Sequence, residues 1–286
     1  MKNREPPPTS GWRFWYCSSM CLVLLALDSH PDHHLIVAAN RDEFYDRPTA
    51  PADFWYDASG VLGGRDLQAR GTWLGVTREG RFAAVTNYRQ GTREPTATRS
   101  RGLLVSDFLT GNTSGLEYME RVERDAALYN GFNLLAGDSA GVFYYSNREG
   151  RMRSLSSGVY GLSNHLLDTP WPKVAATKSA FGAILNGGGP ELITDLFHLL
   201  SNRDRARDDD LPSTGVGPEW ERLLSSAFIA SEDYGTRSST VVLVSQPGSM
   251  VFVERSFGRG GLPGAEVRFE LGGKRPGRTV DERAWE

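Results

Sequence analysis

The sequence predicts an α+β protein in which antiparallel sheets carry pairs of helices on their outer faces. Three observations point there. Apolar runs come in twos around short turns containing Gly, Pro or Asp, which is the pattern of hairpins. Segments with apolar residues at helical spacing also come in twos, rather than singly between strands. The order is strands, helices, strands, helices, strands, which is not the βαβ alternation of a parallel sheet.

Each element has its own signal. Residues 1–19, MKNREPPPTSGWRFWYCSS, hold three prolines in a row and no periodicity, and read as a disordered or mis-started extension. Met20 stands just before the first apolar run, so translation or the mature chain can also begin there. Cys21–Leu27 (CLVLLAL) and Leu35–Ala39 (LIVAA) form a first hairpin around DSHPDHH. Gly71–Thr77 and Arg81–Tyr88 form a second around REG. A polar loop, Arg89–Arg101, follows, then two helices between Leu103 and Tyr129. GFNLLAGD, VFYYSN, RMRSL and GVYGLSN read as short strands. PWPKVAATKSAFGAIL and PELITDLFHLLSN form a second helix pair, split at Gly187–Pro190. After a charged loop, Arg203–Asp210, STVVLVSQPGSMVFVERSF closes the fold as a hairpin, and AEVRFEL adds an edge strand. The globular domain thus spans 20–271, and 272–286, rich in Gly and charge, read as a flexible tail.

Composition narrows the function. The chain has 286 residues, 39% of them hydrophobic and 23% charged, with a net charge of -3. Nothing forces a basic face, which argues against nucleic acid as the main partner. Two cysteines make no disulfide framework and fit a reducing compartment, hence a cytoplasmic protein. No apolar run approaches the roughly 20 residues of a membrane helix, so no transmembrane segment is expected. CLVLLAL behind Lys2, Arg4 and Arg13 also resembles a short signal peptide, a reading that would remove Cys21. His30, His33 and His34 match no metal-ligand spacing, and Arg203–Asp210 lacks the Gly and Glu of a calcium loop. Gly63-Gly64-Arg65-Asp66 is followed by no Lys-Ser/Thr and is no phosphate loop. Neither a metal nor an organic cofactor is called for.

Polar residues gather at strand ends. Cys21 directly follows Met20, a residue readily removed before a small neighbour. A Cys21 at the terminus would carry thiol and α-amine together, and the amine could act as base to the thiol. The alternative is an inert, buried strand cysteine. Asn40-Arg41-Asp42-Glu43 follows LIVAA without Gly or Pro, which makes a poor turn. Asp42 could orient the Cys21 amine, while Asn40, Arg41 and Glu43 could meet a substrate. Asn87 and Asn164 also stand at strand ends, where an amide can face an oxyanion, and Arg237 precedes the STVVLV strand. Singly, each asparagine also reads as a turn residue and the arginine as a surface charge.

Taken together, Met20-Cys21, AANRDEFYDRP, GTWLGVTREGRFAAVTNYR, YNGFNLLAGD, YGLSNHLLDTPWPK and YGTRSSTVVLV resemble the NRDE family, whose animal member is transport and Golgi organisation protein 2. The resemblance runs from Met20 to about Phe257. That family looks like a branch of the N-terminal nucleophile (Ntn) hydrolases, which implies a four-layer αββα sandwich. Its relatives within that fold include penicillin V acylase and bile salt hydrolase, which cleave amides with an N-terminal cysteine. By that resemblance Cys21 is the nucleophile, Asp42 holds its amine, Asn87 forms the oxyanion hole, and Asn164 and Arg237 support the site. Those acylases place an arginine where this chain has Ala39, so either Arg41 substitutes for it or substrate handling differs. The extension is a second departure: an amine still bound in a peptide cannot act as base. The expected function is a cysteine amidase or acyl hydrolase acting on small amides or acyl thioesters. The rival is a non-catalytic carrier of acyl-CoA, lipid or haem on the same scaffold.

Overall fold

The computed structural model describes residues 20–91, 97–187, 189, 191–245, 249–272 and 277–281. The extension expected at 1–19, Cys17 included, lies outside them. In chain order the strands are β1 (Met20–Leu27), β2 (His33–Phe44), β3 (Thr49–Trp55), β4 (Ala58–Asp66), β5 (Leu74–Thr77) and β6 (Phe82–Asn87). After α1 (Gly102–Thr110) and α2 (Gly115–Arg124) come β7 (Phe132–Asp138), β8 (Gly141–Ser146), β9 (Arg151–Leu155) and β10 (Gly158–Leu162). After α3 (Pro172–Gly187), α4 (Leu192–Leu200) and α5 (Pro218–Leu223) come β11 (Tyr234–Ser245), β12 (Met250–Phe257), β13 (Pro263–Leu271) and β14 (Gly277–Asp281).

The strands make two seven-stranded antiparallel sheets, ordered β10-β1-β2-β11-β12-β13-β14 and β3-β4-β5-β6-β7-β8-β9. Side-chain alternation shows how they stack. On β1, Val23, Leu25 and Leu27 join Leu62 and Phe82 of the second sheet, and Trp73 just before β5, in an inter-sheet core. Leu22, Leu24 and Ala26 turn the other way, onto Phe181 of α3 and Leu196 of α4. On the far side, Ala83, Val85 and Leu134 meet Phe108 of α1 and Met119 of α2. The layers are therefore helix, sheet, sheet, helix: the αββα sandwich. Coverage of both faces explains why CLVLLAL is continuously apolar instead of alternating. No helix among the described residues is long and apolar enough to cross a membrane.

Both helix pairs fall where periodicity put them. Ser114 caps α2 in a capping box with Glu117. Three features differ from expectation. Thr49–Trp55 and Ala58–Asp66 form strands although Pro51, Gly60, Gly63 and Gly64 obscure the pattern. The glycines permit close approach: a Cβ on Gly63 would lie 2.7 Å from the Leu74 carbonyl oxygen, and one on Gly64 2.1 Å from the Trp73 ring. Gly277–Asp281, expected within a flexible tail, pairs with β13 as β14, so AEVRFEL is not the edge. α5 carried too few periodic residues to be anticipated.

One connection matters most for the site. β9 is the last strand of the second sheet, and the next strand, β10, pairs with β1 in the first. The chain thus crosses between sheets and delivers Ser163 and Asn164 to the head of β1. Phe181, wholly buried, anchors α3 to the sheet that carries this crossing. Phe181→Ala should lower unfolding stability by about 3–5 kcal/mol, measured by urea denaturation.

Candidate active site at the head of the first strand

Cys21 pairs with Arg41 across β1 and β2. Directly paired residues share a face, and here it is the inter-sheet face of Val23 and Ala39. Cys21 is buried. The Ser163 Oγ donates to the Cys21 carbonyl at 3.0 Å and lies 3.1 Å from Asn164 Oδ1. Asn164 Nδ2 donates to the Asn87 carbonyl at 3.0 Å, and the Arg89 N–H donates to the Asn164 carbonyl at 2.6 Å. Thr86 Oγ1 donates to the Ser163 carbonyl at 2.6 Å and accepts from Asn133 Nδ2 at 3.1 Å. Strands of both sheets are thereby tied together around Cys21, through hydrogen bonds that are almost all buried. Few of these bonds have water to replace them, so the cluster holds one arrangement.

Arg41 lies on the inter-sheet side, its guanidinium 4.3 Å from the centre of the Trp73 ring. It donates to Thr49 Oγ1 at 3.2 Å and faces Glu43 at 3.7 Å. The polar patch extends to Glu254 on β12. The main-chain N–H of Ala52 donates to its Oε1 at 2.7 Å, and Thr240 Oγ1 donates to its Oε2 at 3.2 Å. Burial raises the Glu254 carboxyl to about 7, against these hydrogen bonds and the nearby Arg41 charge.

Asn40 and Asp42 point the opposite way, toward the helices. Asn40 Nδ2 donates to the carbonyls of Leu200 and Ala227, both at 2.8 Å, and Ser239 Oγ donates to Asn40 Oδ1 at 2.6 Å. An amide expected to contact substrate thus braces the end of α4 against the sheet. Asp42 is fully buried and pairs with Met20, the residue before Cys21. Thr236 Oγ1 donates to Asp42 Oδ1 at 2.7 Å, while Oδ2 accepts no hydrogen bond among the described residues. Burial raises this carboxyl to about 6, although Lys173, Thr236, Arg41 and Arg89 all pull it down.

Arg237 occupies the bulge between Thr236 and Ser238. Its Nη1 donates to the carbonyls of Phe44, Tyr45 and Arg47 at 2.9, 3.3 and 3.1 Å, so it holds the turn after β2. The structure therefore joins Cys21, Asn164 and Asn87 by hydrogen bonds, sets Asp42 beside them on the other face, and places Arg237 beyond Arg41. Residues not singled out from the sequence complete the surroundings. Arg89 is ion-paired with Glu221 at 2.7 Å in a buried setting and stacks on Trp171 at 4.5 Å. Ser163, Trp171 and Lys173 all lie in the quoted YGLSNHLLDTPWPK. Glu254 was visible only as a carboxylate in phase with Phe252 on an apolar strand. Among the described residues, no group of three or more His, Cys, Asp or Glu is placed to hold a metal.

The chain as a whole is similar to known proteins. A model of the family described as Transport and Golgi organisation 2 matches residues 20–259. The chain belongs to this family. It is 41% identical to the transport and Golgi organization protein 2 homolog of Bos taurus over 83% of this chain and 93% of that protein. The Homo sapiens homolog is 38% identical, again over 83% and 93%, and the Drosophila melanogaster protein 34% identical over 83% and 92%. Solved structures are more distant. The Caenorhabditis elegans ortholog of N-acylethanolamine-hydrolyzing acid amidase gives a TM-score of 0.41 at 12% identity, covering 78% of this chain and 92% of that one. A mutant conjugated bile acid hydrolase of Clostridium perfringens gives 0.37 at 9% identity, covering 94% and 97%. At those scores the αββα assignment rests on the layers themselves.

Two outcomes follow from this geometry. Asn40→Ala strands two buried carbonyls and the Ser239 hydroxyl, and should lower stability by about 3 kcal/mol in urea unfolding. Glu254 binds its proton more tightly when folded, at about 7 against an ordinary 4.5, so its contribution favours folding as pH falls from about 7 toward 4.5. Glu254→Gln should flatten that stretch of the stability–pH curve by about 3 kcal/mol, read from denaturation midpoints at successive pH values.

Proposed function

We propose that the chain is an Ntn-type cysteine amidase or acyl hydrolase, active when Cys21 is its first residue. The observation that carries this reading is the buried Asp42 Oδ2, which lacks a hydrogen bond among the described residues and sits in register with the residue just ahead of Cys21. A free amine on Cys21 is the donor such an oxygen would take. The amine then lies within the strand, with its carboxylate on the helix side and its thiol on the inter-sheet side.

In this reading the thiol proton passes to the Cys21 amine as sulfur attacks the carbonyl carbon. A tetrahedral oxyanion forms, stabilised by the Asn87 amide and a main-chain N–H. The protonated amine gives its proton to the departing amine or thiolate as the C–N or C–S bond breaks. Water, activated by the same amine, then hydrolyses the acyl–Cys21 thioester. Asn164 supports both ends, through Ser163 to the Cys21 carbonyl and directly to the Asn87 carbonyl. Arg237 fixes the turn after β2, and Arg41 and Glu43 face the substrate side. The substrates are small acyl amides or acyl thioesters such as acyl-CoA, met in the cytoplasm.

The test uses protein started at Met20, with intact mass establishing that Cys21 is the first residue. Incubation with acyl-amide and acyl-CoA panels should leave an acyl adduct on Cys21. Cys21→Ser should slow turnover by orders of magnitude, and Asn87→Ala should cost about 10²–10³ in rate. Tight binding of acyl-CoA, lipid or haem that gives neither adduct nor product, and that Cys21→Ser leaves unchanged, would overturn the enzyme and make the pocket a carrier site.

A further inference from the structure

Cys21, Arg41 and Ser238 form a row across three adjacent strands of the first sheet. Arg41 of β2 is directly opposite Cys21 on one side and Ser238 of β11 on the other. Directly opposed residues share a face and stand about 5 Å apart at the main chain. Alternation gives the face: Ser238 keeps step with Val242 and Val244 of the inter-sheet core, as Arg41 does with Val37 and Ala39. Both polar side chains are buried. A cation and a hydroxyl in such a place cost free energy unless their hydrogen-bonding groups are used.

Most of those groups are unused. A guanidinium offers five N–H donors. Among the described residues, the Arg41 side chain makes one hydrogen bond, to Thr49 Oγ1 at 3.2 Å, while Glu43 stands off at 3.7 Å. Glu43 is also engaged elsewhere: the Phe44 N–H donates to its Oε1 at 2.9 Å, and Arg47 lies 3.5 Å from its Oε2. Ser238 Oγ makes no hydrogen bond among the described residues, although it lies near enough to Glu254 to favour that carboxylate. The charges agree. Arg47 is bound to Asp66 at 2.7 Å, which leaves Glu43 to answer both Arg41 and Arg237, two guanidiniums that repel each other. Glu254, pushed by burial up to about 7, adds only a partial negative charge at neutral pH.

We propose that Arg41 and Ser238 form a carboxylate subsite beside Cys21, and that the substrate is an amide or thioester bearing a carboxylate a few carbons from its reacting carbonyl. A carboxylate accepts from a guanidinium fork with two oxygens and still has lone pairs for a hydroxyl. Lying between Arg41 and Ser238, it stands about 5–10 Å from Cys21, within reach of a short carbon spacer. A plain fatty amide would leave the cation and the hydroxyl buried with their donors unused. The choice of substrate rests on the amidase reading for the reaction at Cys21; the subsite itself does not.

The direct experiment is calorimetric binding to Cys21→Ser protein started at Met20, where no turnover intervenes. Two matched pairs are compared: glutaramate with neutral glutaramide, which places the carboxylate on the acyl side, and N-butanoylglycine with neutral N-butanoylglycinamide, which places it on the amine side. In at least one pair the carboxylate should bind about tenfold tighter or more, and that pair tells which side of the scissile bond the subsite reads. Ser238→Ala should cut the preference by about tenfold, and so should Arg41→Lys, because an ammonium lacks the fork. The urea midpoint of Ser238→Ala should not fall, since its hydroxyl has no bond to lose. Equal binding within both pairs overturns the proposal, as does a preference that Ser238→Ala leaves intact; a fallen midpoint shows a hydroxyl already partnered and overturns it too. If Arg41→Lys fails to fold, Ser238→Ala decides alone. Carboxylate preference without any acyl adduct on wild-type Cys21 would end the amidase reading and leave the subsite standing, whereas adducts from neutral amides with no preference for carboxylates would do the reverse.

Discussion

The site depends on the burial of β2 on both faces and along both edges. β1 pairs on one side and β11 on the other, helices lie above, and the second sheet lies below. Four consecutive polar residues at the end of such a strand cannot share one environment. Alternation sends Arg41 and Glu43 between the sheets, and Asn40 and Asp42 toward the helices. That split separates two tasks. The inter-sheet side receives a cation stacked on Trp73 beside a thiol. The helix side receives an amide spent on bracing α4 and a carboxylate held among cations.

The hydrogen-bond chain from Cys21 through Ser163 and Asn164 to Asn87 is the second support. It spans the two sheets through a segment belonging to neither, the residues just after β10. None of the three connecting bonds is strong alone, each contributing about 1 kcal/mol net. Their force lies in the penalty for leaving any one of these buried groups unpaired. A change anywhere along the chain is therefore felt at Cys21.

Much of this was legible in the sequence, for identifiable reasons. Hairpins announced themselves through paired apolar runs, and helices through spacing, because both faces of each element meet apolar layers. β3 and β4 were hidden because their glycines serve close approach to Leu74 and Trp73 rather than patterning. β14 was hidden because Gly- and charge-rich composition describes exposed strands and tails alike. Cys21, Asp42, Asn87 and Asn164 were readable as polar groups at strand ends. Asn40 was misjudged in kind, since sequence gives a residue's chemistry but not which face of a strand it takes. Ser163 and Lys173 were missed because a serine beside an asparagine and a lysine opening a helix look ordinary until burial is known.

The pairings around Cys21 also set when its surroundings can exist. Ser163 lies 142 residues from the cysteine it bonds, and Thr236 lies 194 residues from Asp42. Contacts of such span are the last that a growing chain can form. Until β11 has left the ribosome, β2 has an open edge, Asp42 has no hydroxyl beside it, and the head of β1 has no floor. A cysteine encoded at the start of the domain is thus held without its buried surroundings through nearly the whole of synthesis. The fold supplies a delay between making the thiol and enclosing it.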